Sequence, residues 1–335
     1  MFHLLSYLSL SIANELFPNI QFPMSPSLGR NKGILSFISY FISISVILIT
    51  LYYNGLQINL DLDEVYNLRS EWSASGMPNI FNYYLPFAAR ITPILLIITL
   101  KQRRVILSSL LIFSQLVSFS FGGMKYTLFA LVLGIIFHFF GQKVDAKKII
   151  IYFSAFVGVC LIECLLSKEQ LPLLTIFTLR RTSFVPNQIG SYFFSFAQEN
   201  DYLYYSGSFL RSFLNYPYQD SFPHVIGSYA FGFPDMGANT GLFAEGFSQI
   251  GWLSLPVYAI LYIVSFRFYS ACCKAFEGTN LSHIPLLGAL LYASTFIDGA
   301  FFSVLLTQGA FLLALSLYIL SQTIANRSYE KGTTL

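Results

Sequence analysis

Two adjacent arginines, Arg180 and Arg181, are the side chains of this sequence best suited to bind an anion. Only 10% of the 335 residues are charged, so a cationic pair in this chain is unusual. A guanidinium group is a planar fork that binds two phosphate oxygens together, and two neighbouring forks can hold a diphosphate. The pair therefore predicts a site for a phosphate or diphosphate group.

Three more cations are expected near this pair. Arg211 lies farther along the same segment, Lys125 follows Gly122 and Gly123 in a turn, and Arg90 lies inside an apolar run. The two glycines would let the backbone approach the anion closely, and an ionisable residue at membrane depth is a functional hypothesis by default. The alternative is that these long side chains reach out of apolar surroundings toward lipid headgroups.

Groups that could accept a proton are found in a second stretch, residues 227–264, and just before it. Glu245 and Asp235 are candidates for a carboxylate base that orients or deprotonates a hydroxyl. His224, the sole histidine of residues 167–242, is a weaker candidate. The alternative for the carboxylates is helix capping together with an ion pair to an arginine.

Aromatic and amide side chains beside these groups are the types that stack on sugar rings and bond to their hydroxyls. Tyr192 and Asn239 are the candidates for such acceptor or sugar contacts. We expect no metal site, because "DLD" at 61–63 lacks supporting ligands and the four cysteines have no metal-ligating neighbours. The cysteines are interpreted as packing residues, and no cofactor is expected.

The elements that must position these groups are membrane-spanning helices. Hydrophobic residues make up 55% of the chain and the mean hydropathy is +0.62, whereas soluble domains carry about 25% charged residues. This composition excludes a soluble enzyme, and a net charge of +3 does not indicate nucleic-acid binding. We expect an all-α polytopic membrane protein, a single membrane domain over residues 1–335. Its spans, about nine in number, are predicted near 2–17, 34–53, 83–100, 104–121, 125–140, 148–166, 243–265, 282–299 and 301–322.

Basic residues predict the orientation of these spans. Strict alternation puts twelve of the nineteen Lys and Arg residues on one side, which the positive-inside rule makes the cytoplasm, together with the C-terminus. Residues 167–242 then form one large extracytoplasmic loop. Its apolar stretches on either side of Arg180 are too short to span, so they predict re-entrant or interfacial helices.

Three stretches give the chain a resemblance to a known family. They are "SFGGMKYTLFALVLGII" (120–136), "RRTSFVPNQIGSYFFSF" (180–196) and "NTGLFAEGFSQIGWLSLPVYAIL" (239–261). With the many helices and the large outer loop, they resemble the Wzy-type polymerases of bacterial O-antigen, capsule and exopolysaccharide repeat units. This family belongs to the O-antigen polymerase and ligase superfamily, whose fold is similar to that of GT-C glycosyltransferases.

The resemblance implies a reaction at the outer face of the bacterial inner membrane. Such enzymes transfer a growing glycan from undecaprenyl diphosphate to the non-reducing end of an undecaprenyl diphosphate-linked repeat unit, without a metal. Arg180 and Arg181 match the family's arginine before Phe-Val-Pro, which implies diphosphate binding. The implied partners are the lipid-linked oligosaccharides, membrane lipids and a co-polymerase that determines chain length.

Three alternatives stay open at this stage. A ligase that moves finished glycan to lipid A core shares the same plan. A flippase or transporter of lipid-linked sugars would show repeated halves with broken helices, and the sequence has no such symmetry. A purely structural partner in an envelope complex is the third.

Overall fold

The computed structural model of this chain describes residues 2–22, 33–55, 58–61, 64–167, 172, 175–208, 210–297 and 299–332, and within these ranges helices are joined by turns and irregular segments, without strands. The α-helices are α1 (Phe2–Leu16), α2 (Ile34–Asn54), α3 (Val65–Ala74), α4 (Asn79–Lys101), α5 (Val105–Gly122), α6 (Lys125–Phe140), α7 (Ala146–Leu166), α8 (Val185–Glu199), α9 (Phe222–Phe231), α10 (Leu242–Ile250), α11 (Ser254–Cys273), α12 (Ile284–Ser294), α13 (Phe301–Leu306) and α14 (Ala310–Gly332). A π-helix, Ile176–Phe184, runs directly into α8.

Seven helical segments of the described chain are long and apolar enough to cross a membrane. They are Ile34–Asn54, Asn79–Lys101, Val105–Gly122, Lys125–Lys143, Ala146–Leu166, Leu242–Phe276 and Phe301–Thr323. This is the pattern of a polytopic membrane protein. Two predicted spans, 2–17 and 282–299, form the shorter helices α1 and α12, with 15 and 11 residues.

The chain divides into two compact units. Unit 1 comprises Met1–Asn19, Lys147–Arg267 and Ala293–Val304, and unit 2 comprises Ile20–Ala146, Phe268–Tyr292 and Leu305–Leu335. In unit 2, α4 packs against α2, α5, α6 and α14. Its middle is almost completely buried, with Ile91, Ile94 and Leu95 at 0% exposure. α4 is therefore the central helix of that unit.

In unit 1, α8 is the helix that organises the predicted loop. It packs against the π-helix, α9 and α10. Its buried face, with Ile189, Phe193 and Phe196, forms an apolar cluster with Ile226 of α9 and Ala244 of α10. Gly190 makes the approach of α10 possible, since a Cβ there would lie 3.1 Å from the Cβ of Ala244.

The wall of unit 1 formed by α7 has the character of a lipid-facing surface. Only 6% of its most apolar 18 residues are buried. Its large apolar side chains are exposed, among them Ile150, Ile151, Phe153, Val159, Leu161 and Leu165. In water such a continuous apolar surface would be a liability, whereas in a bilayer it needs no protein partner.

Candidate functional site

Arg180 lies in the middle of the π-helix. Extended π-helical runs are rare, and shorter π-bulges are frequently found at functional sites. The run is fixed at its start by Thr175, whose backbone N–H and hydroxyl both donate to Glu163 Oε2 of α7 at 2.8 Å. The Thr175 hydroxyl also lies 3.1 Å from the Cys160 carbonyl. The segment that carries Arg180 is therefore tied to the exposed helix α7.

A groove of about 240 Å³ opens beside Arg180. Arg180 is its single charged lining residue, and Gln188 of α8 adds an amide. The remaining lining side chains are apolar: Ile176, Val185, Ile189, Phe231 and Met236. An exposed guanidinium beside an apolar groove suits a ligand with an anionic head and a hydrocarbon tail.

The other predicted phosphate-binding cations have different surroundings. The side chain of Arg181 lies outside the described residues. Arg211 is exposed in a turn of unit 1, where its backbone N–H donates to the Ser208 carbonyl at 3.2 Å. Lys125 is exposed at the start of α6 in unit 2, which also contains Arg90.

Arg90 is a packing residue of unit 2. It is 5% exposed, and its Nη1 donates to the carbonyls of Pro86 at 3.0 Å and Gln308 at 2.5 Å. Its Nη2 lies 3.3 Å from Gln308 Oε1, and its guanidinium carbon lies 4.8 Å from the centre of the Tyr126 ring. These contacts give the cation a structural role at the break between α13 and α14.

His224 and Asn239 lie together around Gly237. A Cβ at Gly237 would lie 3.8 Å from His224 Nε2 and 3.9 Å from Asn239 Nδ2. His224 Nδ1 and Ser221 Oγ are 2.7 Å apart, so the serine fixes the imidazole at the start of α9. Gly237 follows Met236, which lines the Arg180 groove. His224 and Asn239, two predicted site residues, therefore lie beside the segment that contributes Met236 to the groove.

Asp235 and Tyr192 also belong to this region. Asp235 is exposed in the turn before Met236. The Tyr192 ring is perpendicular to that of Phe231, with ring centres 5.3 Å apart, and Gln188 Nε2 lies 3.4 Å from the Tyr192 hydroxyl. Phe231 and Gln188 both line the groove, so Tyr192 forms part of its outer support.

Glu245 is buried in α10 and does not face this groove directly. It is 8% exposed, and its Oε2 accepts a hydrogen bond from the Tyr258 hydroxyl at 2.5 Å. Gln249 and the backbone of Phe301 bond to the same carboxyl group. Tyr205 donates to the Tyr258 hydroxyl at 3.1 Å. The sequence suggests an ion pair between this carboxylate and an arginine. In the structure the Glu245 carboxylate is instead bound by Tyr258.

Residues 203–206 form a turn, closed by the backbone N–H of Ser206 donating to the Leu203 carbonyl, that sequence reasoning does not single out. Tyr204 and Tyr205 have φ angles of +48° and +62°, a region that bulky residues rarely occupy. The end of α10 holds them there, because the N–H groups of Leu203 and Tyr204 donate to the last carbonyls, Ser248 and Gln249. Burial raises the pKa of the Tyr205 hydroxyl to about 12, so it stays protonated at neutral pH.

A second and larger pocket, about 730 Å³, opens beside this turn. Its lining residues are Ala197, Gln198, Asn200, Asp201, Tyr202, Tyr204, Phe247 and Trp252. Of these, Trp252 is one of only two tryptophans in the sequence, and this is the one sequence signal that points to the pocket. The pocket lies at the C-terminal end of α8, whereas the Arg180 groove lies at its N-terminal end.

Metal ligands are not grouped in the part of the chain that is described: it contains no cluster of three or more His, Cys, Asp or Glu side chains. Of the "DLD" stretch, residues 62–63 lie outside the described residues. Cys160, Cys272 and Cys273 are buried and Cys164 is exposed, all as free thiols.

Comparisons with known proteins identify no relative of this chain. It matches no protein-family model, no curated protein and no solved structure.

Proposed function

We propose that this protein is an oligosaccharide repeat-unit polymerase of a bacterial inner membrane. It transfers a growing glycan from undecaprenyl diphosphate to the non-reducing end of an undecaprenyl diphosphate-linked repeat unit. The bond between the anomeric carbon and the diphosphate oxygen breaks, and the oxygen keeps the electron pair. The acceptor hydroxyl forms the new glycosidic bond and gives up its proton.

The observation that carries the proposal is the groove at Arg180. Negative charge develops on the diphosphate as it leaves, and a cation already in place stabilises that charge without reorganisation. The apolar side chains on the remaining lining, such as Ile189 and Phe231, suit the isoprenoid part of the same ligand. An exposed α7 tied to the π-helix through Glu163 supports entry of that ligand from the lipid phase.

The proposed topology completes this arrangement. Residues 167–242 face the outside and the C-terminus faces the cytoplasm, and α1 and α12 lie within the remaining two of about nine predicted spans. α11 has 20 residues and is long enough to span by itself. α10, with the pocket turn bound to its end, then lies at the outer surface.

His224 is the proposed acceptor of the hydroxyl proton. If its Nδ1–H donates to Ser221 Oγ, then Nε2, which lies beside Gly237, carries the lone pair that can accept a proton. Asp235 is exposed and is the second candidate. Glu245 is buried, so it reaches substrate only through Tyr258 and Tyr205.

Deleting the gene in its natural host tests the proposal. We expect surface polysaccharide to carry a single repeat unit in place of a polymer, and a plasmid copy to restore the polymer. Loss of all repeat units from lipid A core would identify a ligase. Loss of the lipid-linked unit from the outer leaflet would identify a flippase, and unchanged chain lengths would refute the polymerase.

A further inference from the structure

We propose that the 730 Å³ pocket beside Trp252 and Tyr204 binds a neutral pyranose of a glycan chain. That this glycan is the one being transferred rests on the proposed polymerase function, whereas binding of a neutral sugar does not. The argument comes from three features of the pocket: its exposed rings, its hydrogen-bonding groups and the strain in its turn.

The exposed rings supply stacking surfaces. Trp252 is 47% exposed and Tyr204 is 55% exposed. Phe247 and Phe194 hold the Trp252 indole edge-on, with ring centres 5.3 and 5.9 Å from it. One face of a pyranose carries only C–H groups, and such a face packs on the π-surface of an aromatic ring. The indole is thus held rigidly and still presents nearly half of its surface.

The polar lining is suited to hydroxyl groups and unsuited to anions. Gln198, Asn200 and Asp201 are exposed at the end of α8, next to the rings. Amides and a carboxylate can donate to and accept from vicinal hydroxyls. Asp201 is the single charged lining residue, so the pocket repels phosphate and acidic sugars. This polarity is opposite to that of the Arg180 groove.

The turn holds its tyrosines at a cost in backbone energy. Left-handed φ angles cost little for glycine and on the order of 1 kcal/mol or more for other residues. Here two consecutive tyrosines occupy such angles. Gly251, with φ +60°, lies so close to Tyr202 that a Cβ would be 2.6 Å from its ring. Strain of this kind persists where surrounding structure and function require it.

The spacing of the two cavities fits one substrate that carries both a diphosphate and a sugar chain. Gln188 lines the Arg180 groove and Gln198 lines the aromatic pocket. Ten residues of α-helix separate them by about 15 Å. A glycan of several sugars on a lipid diphosphate could therefore contact both ends of α8.

Intrinsic tryptophan fluorescence of the purified protein in detergent tests this proposal. The probe is the oligosaccharide released by mild acid from the host's own polysaccharide, together with its free neutral monosaccharides. We expect a saturable signal that disappears in Trp252→Phe, which removes the reporter and leaves Trp72. The half-saturating concentration should rise about tenfold in Tyr204→Gly and in Asp201→Ala.

Tyr204→Gly is chosen because glycine accepts the left-handed angle, so the turn stays folded. The matched control is Phe213→Ala, which removes a ring that is 84% exposed and outside the pocket. Arg180→Ala should also keep wild-type sugar binding. No saturable signal, equal binding by Tyr204→Gly, or a signal produced by lipid vesicles alone would overturn the proposal. Failure of the polymerase function would appear separately, as unchanged chain lengths in the deletion strain.

Discussion

At the residue scale, two arginines of this chain show how the same side chain can serve different purposes. Arg90 is buried, and its Nη1 and Nη2 donate to two carbonyls and an amide oxygen of its own unit. Arg180 is exposed and lines a groove that is otherwise almost entirely apolar. Substituting Arg90 should therefore affect folding, and substituting Arg180 should affect the chemistry.

Arg180→Ala is expected to reduce polymer by about a hundredfold, because a preorganised charge on the leaving group is lost. Arg180→Lys should restore only part of this activity, since a lysine cannot form the bidentate fork. The amount and the length of polymer in the complemented deletion strain measure both effects. Lys147→Ala, which removes an exposed cation of the same unit, is the control. Wild-type chain lengths in Arg180→Ala would refute the diphosphate role.

Arg90→Ala is expected to lower the free energy of unfolding by about 3 kcal/mol, since it leaves buried carbonyl groups without their donor. Thermal unfolding in detergent measures this, with Arg180→Ala as the comparison that should unfold like the wild type. If Arg90→Ala were as stable as wild type yet inactive, Arg90 would belong with the substrate-binding cations.

At the element scale, α10 connects the pocket turn to the buried Tyr258. Carbonyls near its C-terminal end accept hydrogen bonds from the backbone N–H groups of Leu203 and Tyr204, and Glu245 accepts one from the Tyr258 hydroxyl. Gly246 allows this approach, because a Cβ there would lie 2.6 Å from the Tyr258 ring. A glycine of α10 thus lies against the tyrosine to which the pocket turn bonds through Tyr205.

Gly246→Ala is expected to destabilise the protein by about 1–3 kcal/mol through overpacking against Tyr258. Gly158→Ala in α7 is the matched control, because a Cβ there meets nothing within 4 Å. That control should be neutral or up to about 1 kcal/mol more stable, as for Gly to Ala in an exposed helix. Thermal unfolding of both variants measures the difference, and equal melting temperatures would contradict the described packing.

Hydropathy predicted most helices and could not predict the contacts between them. The predicted spans 104–121 and 125–140 correspond closely to α5 and α6, because their apolar runs end at basic residues or glycines. The span predicted at 243–265 is divided at Gly251, where apolar residues continue across the break and hide it. Arg180 was evident from its charge.

The pocket turn was not evident from sequence. Its positive φ angles at Tyr204 and Tyr205 depend on carbonyls of α10 more than 40 residues away. Likewise, nothing in the local sequence pairs Glu245 with Tyr258. Both contacts are tertiary, and local patterns of residue type do not report tertiary contacts.

At the scale of the whole molecule, stability should depend on pH through a histidine of unit 2. His283 is 4% exposed, and burial, with the charges of Lys101 and His138, lowers its pKa from 6.5 to about 4. The unfolded chain takes up a proton below about pH 6.5, whereas the folded protein resists it until about pH 4. Stability should therefore fall as pH decreases from 6.5 to 4 and be unaffected by this group above that range.

His283→Phe should reduce this loss of stability, because a phenyl ring takes up no proton. The substitution should be tolerated, since the His283 ring nitrogens make no hydrogen bond among the described residues. A phenyl ring can occupy the space beside Gly141, where a Cβ would be 2.5 Å from the imidazole. Melting temperatures at pH 7 and pH 4.5, compared between wild type and variant, measure the effect. An equal decrease in both proteins would assign the acid sensitivity to other groups.

The π-helix of residues 176–184 also constrains how this sequence can change in length. An α-helix turns by about 100° per residue, so deleting one residue between Arg180 and α8 and returning the run to α-helical bonding would rotate Arg180 by that angle relative to α8. Its guanidinium would then leave Gln188 and Ile189, its neighbours in the groove. Active descendants of this protein should accept substitutions in this run more readily than single-residue insertions or deletions.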